Sequence, residues 1–395
     1  MKAKYYYLTL MAAAVAVPFL FITIPISLPV LSSSMLPTLL GSHWKLTCPK
    51  CAFSFFLTVD YPYENKIDGA RFTSCPECGF SEIPIKPIFF AEGDRLSIRR
   101  FPHPSPCRWD LVAFRIPEGK RVGVKRVVGL PGELLELKRG VLLINGEPIA
   151  KEPVGRLTVP IALHPEIGVD RLFLIHTVPQ PHLTGETGPT KRVPTPITNL
   201  SPIPSLEGAG RPDFVDDYVL TFPTELLDSA SLLINQGDRL WLVLRSGSSL
   251  EVELRNISMP ESDPERFRGV TQDDFASAPC YSFPLPSGEG DLTLSTCDAF
   301  VILSIEGKEL CRIPNPPLAE QNLPVTCPVS LLTDSPGELS AKDLTVRRDI
   351  GYGSLPARRL ADDEYFLLGD NPPVSIDSRV WKTPLRRRSL MTIRK

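Results

Sequence analysis

From Tyr5 through Ser42 no side chain carries a formal charge, and the segment "YYYLTLMAAAVAVPFLFITIPISLPVL" (5 to 31) is almost wholly apolar. A helix needs about 20 apolar residues to cross the hydrocarbon core of a bilayer, so the run predicts a transmembrane anchor over 5 to 31. A cleaved signal peptide is the competing reading. Such peptides have shorter apolar cores and end at a small-x-small site, whereas this run is long and closes on "SLPVLSSSM". Lys2 and Lys4 precede it, and the positive-inside tendency then keeps residues 1 to 4 in the cytoplasm and everything after 31 outside. The tyrosines at 5 to 7 suit the inner membrane interface, and Pro18, Pro25 and Pro29 predict a kinked or frayed helix end.

Beyond the anchor the chain changes character four times. Residues 42 to 91 are punctuated by cysteines. Residues 92 to 155 hold short alternating segments, "DRLSIRRF", "DLVAFRIP", "VGVKRVVGL", "LLELKRG" and "VLLINGEPI", which read as antiparallel strands, with Asn145-Gly146 as a two-residue hairpin turn. Residues 156 to 343 begin with a proline-rich linker, densest at 177 to 204, and continue with "RLWLVLRSG", "SLEVELRNI" and "FVILSIEGKELCRI", the pattern of a second β-rich domain. Residues 344 to 395 run from "TVRRDIGYG" through "DEYFLLGDNPPVSIDSRVW" to a basic end. The expected fold class is therefore mainly β, behind a single N-terminal helix. A net charge of -2 provides no basic field to hold nucleic acid, although "LRRRSLMTIRK" is locally basic.

"LSSSMLPTLLG", residues 31 to 41, places three serines at the edge of the anchor. A serine hydroxyl needs a base before it can act as a nucleophile. The five histidines stand in no hydrolase-like context and there is no G-x-S-x-G elbow, so a Ser-His-Asp triad has little support. A lysine can serve if burial keeps it neutral, and bringing its pKa from about 10.4 to near 7 costs the fold about 4 to 5 kcal/mol. Lys125 in "GVKRVVGLPGE" qualifies, with Gly123 and Val127 on its strand face.

The segments "SSSMLPTLL", "GDRLSI", "WDLVAFRIP", "KRVVGLPGE" and "LGDNPPVSIDSRVW" occur in that order. Together they resemble the boxes of type I signal peptidases, the membrane-anchored Ser-Lys endopeptidases of bacteria. The resemblance implies a catalytic core from residues 32 to 41, 92 to 155 and 344 to 395. Within it Ser34 would be the nucleophile, Lys125 the general base, Ser32 an oxyanion-hole hydroxyl and Ser375 the hydroxyl that orients the lysine. It further implies an ion pair of Asp377 with Arg379 beneath the site, and Asp370 as the acid of "LGDN". The chain departs from the family pattern with "WD" for "GD" at 109 to 110, with Pro372-Pro373 after Asn371, and with no glycine after Trp381.

As a member of that family the chain would sit in the bacterial inner (cytoplasmic) membrane with its catalytic part on the extracytoplasmic side. It would remove signal peptides from exported preproteins without a catalytic cofactor. Its partners would be those preproteins and the lipid bilayer, with the secretion machinery as a further candidate and no nucleic acid. A regulatory Ser-Lys protease, or a membrane-anchored binding scaffold on a degenerate peptidase core, are the competing functions.

Cys48-x-x-Cys51 and Cys75-x-x-Cys78 form two knuckles, and "CPKCAFSF...SCPECGF" looks like a zinc ribbon. Four thiolates there would close a structural zinc site. Two disulfides are the alternative, respectable for an extracytoplasmic module. Such a ribbon would stand beside the active-site mouth, either guiding substrate or supporting the core. Cys280, Cys297, Cys311 and Cys327 could form two disulfides in the second β-domain, leaving Cys107 free. No motif assigns that domain a function.

Overall fold

The computed structural model describes residues 25–58, 71–73, 75, 80–85, 91–102, 106–116, 121–151, 157–161, 163–179, 192–197, 214–245, 251–258, 264–285, 290–316, 318, 323–339 and 344–394. Among these residues the protein is mainly β, with short helices such as Leu226–Ser229 and Pro264–Gly269.

The part expected to form the catalytic core is built on a seven-stranded antiparallel sheet. Its order is Ile26–Pro29, Arg95–Pro102, Leu390–Arg394, Leu111–Arg115, Val122–Gly129, Glu364–Leu368 and Leu385–Arg386. Residues far apart in sequence thus become neighbours, because the C-terminal strand Leu390–Arg394 lies between Arg95–Pro102 and Leu111–Arg115. A four-stranded sheet, Glu147–Ile149, Val141–Ile144, Leu134–Lys138 and Leu355–Arg359, adjoins it. Val128, Phe366 and Leu368 of the larger sheet share a buried cluster with Leu135, Leu137 and Leu142 of the smaller. The turn expected at Asn145-Gly146 forms, with both residues at positive φ, 54° and 91°, as a two-residue hairpin of this twist requires.

The anchor expected over 5 to 31 needs correction at its end. Residues 1 to 24 lie outside the described residues, but Ile26–Pro29 is a strand paired with Arg95–Ile98. Its residues alternate between the two faces of the sheet, and Leu28 packs beside Leu96 and Ile98 while Ser27 Oγ accepts from Arg95. An uncharged segment can be covered by protein as well as by lipid, and here Ile26, Leu28 and Pro29 are half-buried against protein while Ser27 is exposed. No helix among the described residues is long and apolar enough to cross a membrane.

The second β-rich region is a sandwich. One sheet runs Thr158–Pro160, Thr345–Asp349, Tyr218–Pro223, Asp291–Ser295, Phe300–Ile305, Lys308–Pro314. The other runs His164–Ile167, Arg171–Ile175, Val329–Leu332, Ser231–Asn235, Arg239–Arg245, Glu251–Ser258, Cys280–Pro284. Leu220, Phe222, Leu292 and Leu303 of the first meet Leu232, Ile234, Trp241 and Leu254 of the second in one core. Thr345–Asp349, grouped by sequence with the catalytic core, is hydrogen-bonded into this sandwich. Cys280, Cys297, Cys311 and Cys327 are unbridged thiols, so the disulfides considered for them are absent. Cys280 and Cys311 lie on edge strands of different sheets, and the core between the sheets is apolar.

Buried charge ties sandwich to core. Lys151 Nζ donates to Asp298 and, at 2.7 Å, to Asp349. Arg139 pairs with Asp216 at 3.0 Å and Asp238 at 3.4 Å. Among its described residues, the cysteine-bearing insertion contains two hairpins, His43–Thr47 with Ser54–Thr58 and Arg71–Thr73 with Ile83–Ile85.

Candidate active site

Met35 and Leu39 hold the loop that carries the three serines. Both are buried against Leu96, Ile98 and Ala113. The loop closes on itself, with Leu36 N donating to Ser33 O at 3.0 Å and Leu39 N to Met35 O at 2.9 Å. Ser34 is left partly buried between these anchors, facing the central strand Val122–Gly129.

Successive side chains of a strand point to opposite faces, and this alternation sorts the residues of "VKRVV". Lys125 turns toward the serine loop, and its Nζ stands 2.8 Å from Ser34 Oγ. Burial lowers the amine from its usual 10.5 to about 8, while the carboxylates of Asp377 and Asp370 oppose the fall. At pH 7 about a tenth of such an amine is therefore neutral. Ser32 Oγ donates to Ser34 Oγ at 3.2 Å, so both hydroxyls and the amine converge.

Arg126, on the other face, is the principal residue that the sequence reading missed. Its guanidinium takes Asp370 with two nitrogens, donates to the Trp109 carbonyl at 2.7 Å and reaches Thr38 Oγ1 at 3.1 Å. The arginine thus joins the last box to the serine loop. An available signal was alternation itself, since a residue following an inward lysine in a central strand faces the opposite interior, where an arginine needs a carboxylate. Asn371 was missed as well. Its side chain donates to Ser33 O at 3.1 Å and its N–H to Ser34 O at 3.2 Å, clasping the serine loop from behind.

Asp377 and Arg379 form the pair that the resemblance implies, at 2.8 and 2.9 Å. Asp377 also accepts from Gly369 N at 3.1 Å, and Arg379 donates to Pro372 O at 3.0 Å, which sets the turn holding Pro372-Pro373. Ser375 behaves differently from expectation. Its Oγ is buried without a hydrogen-bond partner, so the bond to the lysine amine is not made. It packs on Gly369, where a β-carbon would come within 2.1 Å of that oxygen and 2.5 Å of the Ser34 carbonyl. Only glycine permits this approach.

In the insertion, Cys48, Cys51 and Cys75 bring their sulfurs within 4.8 Å of one another, with Cys51 and Cys75 at 3.7 Å. Cys78 lies outside the described residues. A disulfide needs sulfurs about 2.05 Å apart, and ligands at about 2.3 Å around a tetrahedral ion lie about 3.8 Å from each other. The Cys51–Cys75 separation matches the second geometry, and the cluster of three is compatible with it. The two knuckles are also alike in backbone, Cys48 N donating to Phe53 O and Cys75 N to Phe80 O, both at 2.8 Å.

A serine hydroxyl, a buried amine in contact with it and an adjacent hydroxyl donor make a constellation suited to acyl transfer. Residues 3–159 match the family described as signal peptidase, peptidase S26. Over 64 residues the chain is 41% identical to signal peptidase I V of Bacillus subtilis (strain 168), a stretch covering 16% of this chain and 38% of that relative. The match spans well under half the relative's length. The matched family segment includes Ser34 and Lys125, and ends before the "LGDN" box and most of the sandwich.

Proposed function

We propose that this protein is a serine endopeptidase that removes N-terminal signal peptides from exported preproteins, with Ser34 as nucleophile and Lys125 as general base. The 2.8 Å approach of the buried Lys125 amine to Ser34 Oγ carries the reading. The similarity of residues 3–159 to signal peptidases supports the substrate class.

In this reading neutral Lys125 takes the Ser34 proton as Oγ attacks the scissile carbonyl. The Ser34 N–H and the Ser32 hydroxyl stabilise the oxyanion. The Lys125 ammonium then returns the proton to the leaving amine, which departs and leaves an ester on Ser34. Lys125, neutral again, takes a proton from water as it attacks the ester; the acyl carbon–Oγ bond then breaks, the Lys125 ammonium returns that proton to Ser34 Oγ, and the cleaved chain leaves as its carboxylic acid. Arg126, Asp370, Asn371 and the Asp377–Arg379 pair keep the two reacting groups in register; none of them exchanges a proton.

The uncharged residues 5 to 25 are still about as long as a bilayer span requires, and we assign them as the membrane anchor that brings the site to the outer membrane surface. Cys48, Cys51 and Cys75, with Cys78 by its spacing, would hold zinc. A four-thiolate site leaves no open coordination position, so the metal's contribution is to hold the insertion folded.

The test is cleavage of a peptide bearing an Ala-x-Ala site by the detergent-solubilised full chain, alongside Ser34→Ala and Lys125→Ala. Cleavage by wild type and its loss in both variants supports the reading. Wild type inert toward both this peptide and preproteins overturns it.

A further inference from the structure

The cysteine-bearing insertion leaves and rejoins the core at one place. His43 N donates to Ala91 O at 3.2 Å and Ala91 N returns to His43 O at 2.7 Å, so residue 43 opens the insertion and residue 91 closes it. The His43 side chain, only 3% exposed, reaches back toward the serine loop. Its Nδ1 lies 2.9 Å from the Gly41 carbonyl oxygen. That oxygen can only accept, so Nδ1 carries the proton. Nε2 is buried with no hydrogen-bond partner, and the ring meets Phe56 of the facing strand edge-on, with centroids 4.9 Å apart.

Gly41 in turn lies hard against the catalytic loop. A β-carbon there would fall 2.3 Å from the Ser32 carbonyl oxygen and 3.1 Å from that of Leu31. Ser42 N donates to Leu31 O at 3.2 Å on the same side. Ser32 then presents its hydroxyl to Ser34 at 3.2 Å. A continuous run of contacts leads from the insertion through Phe56, His43, Gly41 and Ser32 to Ser34.

We propose that His43 is a positioning residue, the single imidazole through which the insertion sets the placement of Ser32 and thereby of the oxyanion donor beside Ser34. The proposal rests on the assignment of Ser34 and Lys125 as the reacting pair. The physical reason is the geometry of the Gly41 peptide. With its carbonyl held by Nδ1–H, Gly41 Cα forms a fixed wall behind Ser32. Released, the peptide can rotate and the Ser32 backbone can follow it, and a displacement of about 1 Å in such a group costs up to about 100-fold in rate. His43 acts behind Ser32, away from where substrate is captured, so the consequence falls on kcat. The insertion then supports the chemical step, in contrast to a substrate-guiding arm, whose loss would raise KM for preproteins.

Two substitutions separate the hydrogen bond from the packing. His43→Phe keeps a ring against Phe56 and has no donor, whereas His43→Asn keeps a donor near the Nδ1 position and has no ring. Both are measured in the full chain by kcat and KM on the Ala-x-Ala peptide, and by hydrogen exchange of peptides covering residues 31–43, with residues 134–144 as a control for the fold. We expect His43→Phe to lower kcat about tenfold to 100-fold with KM within about twofold, and to speed exchange in 31–43 alone. His43→Asn should recover most of kcat and of the protection. Wild-type kcat and exchange in His43→Phe, an effect on KM alone, or equal impairment of the two variants would each overturn the proposal. If residues 134–144 also exchange faster in His43→Phe, His43→Asn decides: recovery upholds the donor role and impairment overturns it. If wild type cleaves nothing, the peptidase reading fails by itself, and exchange in 31–43 still decides whether His43 holds the serine loop.

Discussion

Arg126 and Asp370 form a two-bond ion pair with side chains 1% and 0% exposed, one residue along the strand from Lys125. Because Arg126 also holds Thr38 and the Trp109 carbonyl, the pair joins the serine loop, the central strand and the last box at one guanidinium. Asp370→Asn leaves that guanidinium buried without its counter-charge. Removing one partner of a buried pair costs about 3 to 5 kcal/mol, and chemical denaturation should read a loss of that size. Replacing both residues with apolar ones, as in Arg126→Met with Asp370→Leu, should recover part of it. A loss of well under about 1 kcal/mol for Asp370→Asn would mean that the pair is no keystone.

In the proposed mechanism Lys125 determines how activity depends on pH. Only the neutral amine can accept the Ser34 proton, and burial brings it to about 8. The rate constant kcat/KM should therefore rise about tenfold per pH unit below that value and level off above it. The same shift acts on stability. The folded-state value lies below the unfolded one of about 10.4, so the unfolded chain binds more protons in that window and stability rises with pH from about 8 to about 10. Lys125→Met should flatten this rise and abolish cleavage. An activity optimum on the acid side of pH 6 would rule the lysine out as base.

In the proposed mechanism Ser32→Ala removes a hydroxyl whose bond to an oxyanion exists only in the transition state. We expect kcat to fall about tenfold to 1,000-fold with KM nearly unchanged. Steady-state kinetics on a short peptide check this, and an unaltered kcat would transfer the oxyanion role to backbone donors alone.

For the cysteine cluster, metal analysis of the purified chain should find one zinc per chain. A strong chelator should release it and open the His43–Thr47 and Ser54–Thr58 hairpin to hydrogen exchange. Zinc-free protein whose hairpin opens with a thiol reductant and not with a chelator would establish disulfides in its place.

Lys151 neutralises Asp298 and Asp349 where the sandwich meets the core. Lys151→Met would leave those carboxylates buried without their cation, at a cost of about 3 to 5 kcal/mol. Limited proteolysis should then cut between core and sandwich at protease levels that leave wild type intact. Identical digestion patterns would show that apolar contacts alone hold the two together.

Much of this could be read from one dimension. Strand segments such as "VGVKRVVGL" and "RLWLVLRSG" announce themselves by period-two alternation, and Asn145-Gly146 by its need for positive φ. Ser34, Lys125, Ser32, Asp370, Asp377 and Arg379 were named because five ordered boxes resemble those of type I signal peptidases, and the cysteine knuckles because of their spacing. The sequence also set the expectation that an uncharged apolar segment would be removed from water, since no side chain in it can be solvated as an ion.

Tertiary structure decided what that segment meets, and it folds Ile26–Pro29 against Arg95–Ile98 as a strand because apolar side chains there find a protein face to cover them. It decided that Arg126, silent in the sequence beside Lys125, is the partner of Asp370, and that Ser375 lies against Gly369 with its hydroxyl unpaired. It moved Thr345–Asp349 out of the catalytic core and into the sandwich. Such pairings depend on which distant strands become neighbours and on the register between them. Periodicity states which face of a strand is buried, but only the closed packing of the whole chain states against what.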